Sequence, residues 1–156
     1  MTEPAGHFLA PGEGELLMFN RLATRFRVLA DWVGGAYCVV EQVIPARRLY
    51  RPHVHREQDQ LAIVLSGTVG FRVGDVEFAG EAGAACVRPR GVPHANWNPT
   101  DEDATMLEIT SPGSFEHYFR AIAAGERPVE EIAEEWGIAF VDEWVEELSA
   151  RYGVRL

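Results

Sequence analysis

Between residues 36 and 110 the chain is cut into short apolar or alternating runs by glycine and proline, and none of those runs carries a helical period. Residues 36–44 are rich in β-branched and aromatic side chains and stop at Pro45, the signature of a strand. Residues 61–65 form a nearly continuous apolar run, as expected of a strand buried on both sides. Ser66-Gly67 and Gly74-Asp75 mark turns on either side of the alternating run 69–73, and further strands are predicted at 76–78, 84–87, 92–97 and 104–110. With candidates at 16–19 and 26–30 ahead of them, about nine short strands with no helix among them predict a mainly β sandwich or barrel.

The pattern changes after residue 112. A helix is predicted from 115 to about 124, with Ser114 as its cap, Phe115, Phe119 and Ile122 on one face and Gly125 at its end. Pro128, followed by Glu130 and Glu131, opens a second helix whose apolar side carries Ile132, Trp136 and Ile138. A third runs from 142 to about 152 with Trp144, Val145, Leu148 and Tyr152 apolar. The 156 residues therefore divide, within one domain, into an arm with edge strands (1–35), a barrel core (36–112) and a C-terminal helical segment (113–156).

Charge and cysteine usage narrow the function class. A formal charge of -10 disfavours nucleic acid and anionic membranes as partners, because phosphate binding needs a basic surface. Residues 129–148 hold eight Asp or Glu and no Arg, which reads as solvated helix faces. Cys38 and Cys86 are far apart and form no C-x-x-C pair, so they read as small buried apolar residues. No run is long and apolar enough to span a bilayer, and the N-terminus lacks the pattern of a secretory signal, so a cytoplasmic location is expected.

Three of the five histidines lie in one framework. His53 and His55 are two apart in Pro52-His53-Val54-His55, so on a strand both imidazoles point to one face. His94 follows the turn-rich segment Arg88-Pro89-Arg90-Gly91-Val92-Pro93. Neutral imidazole is the commonest metal ligand near neutral pH, which makes this constellation a metal-site candidate.

The spacing extends beyond the histidines. His53-x-His55, Gln60 and Gly67 in one stretch, and Gly83, Pro89-x-Gly91, His94 and Asn98 in another, resemble the two signature motifs of the cupin superfamily, in order. Arg47 stands where the first motif usually has a leading glycine, and Gln60 where it usually has glutamate. The flanking Gly34-Gly35-Ala36-Tyr37 and Ser111-Pro112-Gly113-Ser114-Phe115 are similar to small single-domain bacterial cupins of the quercetin dioxygenase-like kind.

The resemblance implies a cupin double-stranded β-helix, a jelly-roll barrel with C-terminal helices, holding one divalent transition metal (Fe, Ni, Mn, Cu or Zn). By position it assigns the metal ligands as His53, His55, Gln60 and His94. Glutamine offers only a neutral amide oxygen and cannot act as a base. Three arrangements follow: three histidines with a weak Gln60, a site completed by Asp59, or a barrel without metal. Tyr37 and Trp97 are candidate walls of a substrate pocket, with core packing as the alternative for each, and Asn98 reads as a local hydrogen-bonding residue. The implied activity is that of a dioxygenase-like oxidoreductase acting on a small aromatic, hydroxylated substrate. The alternatives are a non-oxidative isomerase or cyclase and a non-enzymatic small-molecule or metal-binding module. Exposed sheet edges of such a barrel imply a homodimer.

Overall fold

The computed structural model describes residues 5–156, so residues 1–4, the start of the expected arm, lie outside the described residues. Strands β1 (Leu16–Phe19), β2 (Leu22–Val28), β3 (Cys38–Ile44), β4 (His53–His55), β5 (Asp59–Ser66), β6 (Val69–Val73), β7 (Val76–Gly80), β8 (Ala85–Arg88), β9 (His94–Trp97) and β10 (Ala104–Ser111) precede the tail. They form a six-stranded sheet, ordered β1-β2-β3-β10-β5-β8, that faces a second sheet in which β4, β9, β6 and β7 are neighbours. All pairings are antiparallel, as expected of a barrel built from hairpins and crossovers between two layers.

The tail differs in one respect from the all-helical segment expected. It contains helices α1 (Glu116–Ala124), α2 (Val129–Glu135) and α3 (Glu143–Tyr152), but residues Ile138–Phe140 form an eleventh strand, β11. This strand joins the second sheet beside β4, pairing Ile138 with His55 and Phe140 with His53. The apolar side expected of α2 at Ile138 thus belongs to a strand, because Gly137 (φ 69) breaks the helix and β4 offers an open edge. Ser114 lies in a short 3-10 turn (Gly113–Phe115) and makes no capping hydrogen bond.

Pleat alternation decides what each strand buries. On β3 the inward residues are Cys38, Val40, Gln42 and Ile44, and on β10 they are Ala104, Met106, Glu108 and Thr110. On β5 only Gln60, Ala62 and Val64 are fully buried, whereas Leu61 and Ile63 are half-buried and Leu65 is exposed. The continuous apolar run thus covers one face inside the barrel and leaves its other face on the outside of the sheet, which corrects the expectation of a strand buried on both sides.

Three apolar clusters hold the layers. Ile44, Val64, Val69, Phe71, Cys86 and Met106 fill the barrel between the sheets. Phe26, Cys38, Val40, Phe115, Phe119 and Ile138 join the barrel to the tail. Leu49, Ala95, Trp97, Leu148 and Val154 seat α3 on the outer face of the second sheet. Both cysteines are buried and unpaired. The acidic tail is tied to the barrel by arginines: Arg51 binds Glu130 and Asp142, and Arg72 binds Glu147. Among the described residues no helix is long and apolar enough to cross a membrane.

Candidate metal centre

The two histidine segments meet because β4 and β9 are hydrogen-bonded neighbours in register His53↔His94. Gly91 secures the approach. It adopts φ 76, a left-handed conformation in which a side chain would be strained, and its N–H donates to the His55 carbonyl at 2.7 Å. Arg47, at the position of the missing glycine, keeps a positive φ of 59, so the turn persists without its usual residue.

Each imidazole is oriented by its Nδ1. That of His53 donates to the Arg51 carbonyl at 2.8 Å, that of His55 to Gln58 Oε1 at 3.1 Å, and that of His94 to the Val92 carbonyl at 3.2 Å. All three acceptors are oxygens, so in the neutral rings the proton sits on Nδ1 and the lone pair on Nε2. The Nε2 atoms of His53 and His55 then face one another at 3.1 Å. His94 Nε2 is buried and has no partner among the described residues. The ligand atoms of the three rings lie within 4.8 Å of one another. Lone pairs so opposed repel unless a cation lies between them. A spacing of 3.1 Å suits adjacent nitrogens bound to one ion at about 2.1 Å.

Electrostatics favour the same protonation state. Burial pushes His53 down to about 4, and burial with the neighbouring His53 pushes His55 down to about 3. Burial, reinforced by His53 and Arg88, holds His94 well below the ordinary histidine range. All three rings are neutral at pH 7 and ready to ligate.

Gln60 lines the same cavity from β5. Its Nε2 donates to Thr110 Oγ1 at 3.3 Å, which leaves Oε1 buried and without a partner among the described residues. The free atom is the one that could ligate a metal. Asp59 points the other way, accepting from the Arg90 backbone at 2.8 Å and from its guanidinium at 2.7 Å. Asn98 is fully buried and satisfied: Nδ2 donates to the carbonyls of Ile44 and Glu102, and Oδ1 accepts from Thr100.

His53 and His55 open onto a cavity of about 540 Å³ between the barrel and the tail. Aromatic side chains of Phe19, Phe115, Tyr118, Phe119 and Phe140 form much of its wall. Neither Tyr37 nor Trp97 lines it. Tyr37 lies outward of the Cys38-Val40-Gln42 face and is exposed, and Trp97 follows the pleat of Ala95 into the cluster under α3, where it stacks on Tyr152. Asn96, which shares the pleat of His94, occupies the wall instead.

Two charged residues in the wall were not singled out from the sequence. Arg88 on β8 and Glu108 on β10 form an ion pair of 2.5 Å, with side chains only 2% and 4% exposed. Burial raises the Glu108 carboxyl above its ordinary range, against the lowering pull of Arg88. The signal available for Glu108 was alternation, because it shares the inward pleat of Ala104, Met106 and Thr110.

Residues 40–110 match the family described as the cupin domain. The H2HPP isomerase of Bacillus subtilis is 33% identical over 78 residues, 49% of this chain and 33% of that protein, so the chain spans about a third of the length of the curated relative it matches. KdgF from Halomonas sp. superposes with a TM-score of 0.62 at 17% identity, covering 69% of this chain and 94% of that one. A conserved protein with a double-stranded β-helix domain from Klebsiella pneumoniae covers 85% of this chain and 89% of its own, with a TM-score of 0.53 at 16% identity. At such identities the structural likeness establishes a shared double-stranded β-helix and nothing finer.

Proposed function

We propose that the chain, whose residues 40–110 match the cupin domain family and whose fold is a double-stranded β-helix, is a metal-dependent enzyme acting on a small organic molecule bound in the aromatic-walled cavity. His53, His55 and His94 hold one divalent transition metal, with Gln60 Oε1 as a neutral fourth donor. The observation that carries this reading is the 3.1 Å approach of the His53 and His55 Nε2 atoms, both rings turning Nδ1 to an oxygen acceptor. When bound, the metal supplies a Lewis acid that polarises a substrate oxygen. The protein's groups do the remaining work. The Nδ1 hydrogen bonds keep the rings aimed, the aromatic wall excludes water, and the Glu108 carboxylate, ionised beside Arg88, accepts a proton in the cavity.

The reaction favoured is relocation of a proton without oxygen, an isomerisation. Glu108, a carboxyl kept inside the cavity with its affinity for a proton raised, supports it. So does the likeness to a protein named an isomerase. Dioxygenase-like oxidation of an aromatic hydroxylated substrate is the second reading, supported by the uncharged donor set and the aromatic wall. Protein loaded in turn with Fe(II), Ni(II), Mn(II) and Zn(II) tests both on panels of oxo acids, catechols and flavonols. Deuterium entering substrate from heavy water under anaerobic conditions supports isomerisation, and oxygen uptake supports oxidation. Tight binding with neither defines a non-enzymatic module and overturns the enzyme reading.

The chain functions as a homodimer in this reading, supported by apolar side chains left exposed at Met18, Leu65 and Val87, and light scattering in solution tests it. A reducing, cytoplasmic setting suits the two unpaired cysteines.

A further inference from the structure

Once the histidines and Gln60 are assigned to the metal, the cavity wall retains two polar atoms that are buried and have no partner among the described residues: Arg88 Nε and the Tyr50 hydroxyl. An arginine bears several N–H donors in a planar fork. Here Nη2 donates to Glu108 Oε1 at 2.5 Å, and the buried Nε has no partner among the described residues. Leaving a buried charged donor unmade is costly, so such an atom belongs where a ligand oxygen or a water completes it. Tyr50 complements it. Burial holds its phenol above the ordinary range, so the hydroxyl stays protonated and is a neutral donor or acceptor.

Charge balance selects the ligand's sign. Glu108 neutralises Arg88 and nothing more. The donor set of imidazoles and one amide is itself uncharged, so a divalent ion held there leaves its charge unmatched in a buried site; this part of the argument rests on the metal-dependent reading above. A molecule bringing a negative charge satisfies both groups. One arginine already paired with a carboxylate, together with one neutral hydroxyl, fits a singly charged, planar carboxylate better than phosphate, whose higher charge gathers several cationic donors.

We propose that the cavity recognises organic monocarboxylates, with Arg88 Nε and the Tyr50 hydroxyl anchoring the carboxylate and the aromatic wall holding the apolar body. Arg88 and Tyr50 are thus specificity residues, and Glu108 is the internal competitor for Arg88.

The test compares 3-phenylpropanoate with its neutral isostere 3-phenylpropanamide by calorimetry, on chelator-stripped and on metal-loaded full-length protein, with inorganic phosphate as a further probe. In stripped protein the carboxylate is expected to bind at least about tenfold more tightly than the amide, the scale of one charge-assisted hydrogen bond. Tyr50→Phe, which keeps the ring, reduces that preference severalfold. Glu108→Gln moves it the other way, because it frees Arg88, and a gain in carboxylate affinity cannot come from mere structural damage. Melting curves establish that each variant is folded. Equal affinity for carboxylate and amide in stripped protein, or a folded Glu108→Gln with no gain, overturns the proposal, as does phosphate binding more tightly than the carboxylate. Failure of the metal reading looks different: the protein takes up no metal, while the carboxylate preference of the stripped protein persists.

Discussion

The buried histidines make a specific demand on the metal-free protein: it must lose stability on mild acidification. In the unfolded chain each imidazole titrates near its ordinary value, about 6.5. In the folded protein His53 is pushed down to about 4 and His55 to about 3. Between those values the unfolded state binds protons that the folded state refuses. The stability these rings contribute is therefore complete above pH 6.5 and is lost as pH falls toward 4 and 3. At about pH 5 each of the two accounts for a loss of roughly 2 kcal/mol, so together they remove on the order of 4 kcal/mol. His94, also depressed, adds to the loss. Glu108, whose carboxyl is raised by burial, acts with the opposite sign, one group against three. For a chain of this size the two histidines alone lower Tm by roughly 8–16 °C. The assay is thermal melting of chelator-stripped protein between about pH 7.5 and 5, a window above the ordinary carboxylate range. His53→Asn should flatten the slope. A Tm that stays constant or rises across that window refutes the burial and tautomer assignment of the triad.

Other consequences are equally open to measurement. Gln58→Ala removes the acceptor for His55 Nδ1 and should weaken metal binding about 10- to 100-fold in a competition titration with a chelator. Arg88→Met leaves Glu108 buried without its partner and should destabilise by about 3–5 kcal/mol in denaturant unfolding, whereas Arg88→Met combined with Glu108→Leu recovers most of that loss. At Gly70 on β6 an added Cβ would stand 2.2 Å from Trp97 Nε1, so Gly70→Ala should cost about 1–3 kcal/mol through repacking of the indole, read as a lower denaturant midpoint.

The parts legible in the sequence are those with local signatures. The two-residue spacing of His53 and His55, the Pro89-x-Gly91 turn and the alternation of the central strands each depend on neighbours in the chain, and β4, β6, β9 and β10 appear where those signals lie. The parts not legible depend on distant partners. Residues Ile138–Phe140 follow a helix and precede another, and they are a strand only because β4 presents an edge to them. The one-sided burial of Leu61 to Leu65 follows from which faces of a two-layer barrel meet, which an apolar run does not specify. Of the two roles open to Trp97, packing is the one it takes: three residues along the strand from His94 it lies on the opposite pleat, in the cluster under α3, and Asn96 lines the cavity. The pairing of Arg88 with Glu108 joins strands separated by β5 in the sheet, so neither residue announces its partner.

The central claim is that His53, His55 and His94 hold one metal ion through their Nε2 atoms. Elemental analysis after loading and exhaustive dialysis tests it most directly, run in parallel on the unaltered protein and on His94→Ala. The account predicts one divalent transition ion per chain in the former and a near-complete loss in the latter, with the variant still folded. A protein that takes up no stoichiometric metal, or a folded His94→Ala that retains it fully, contradicts the account.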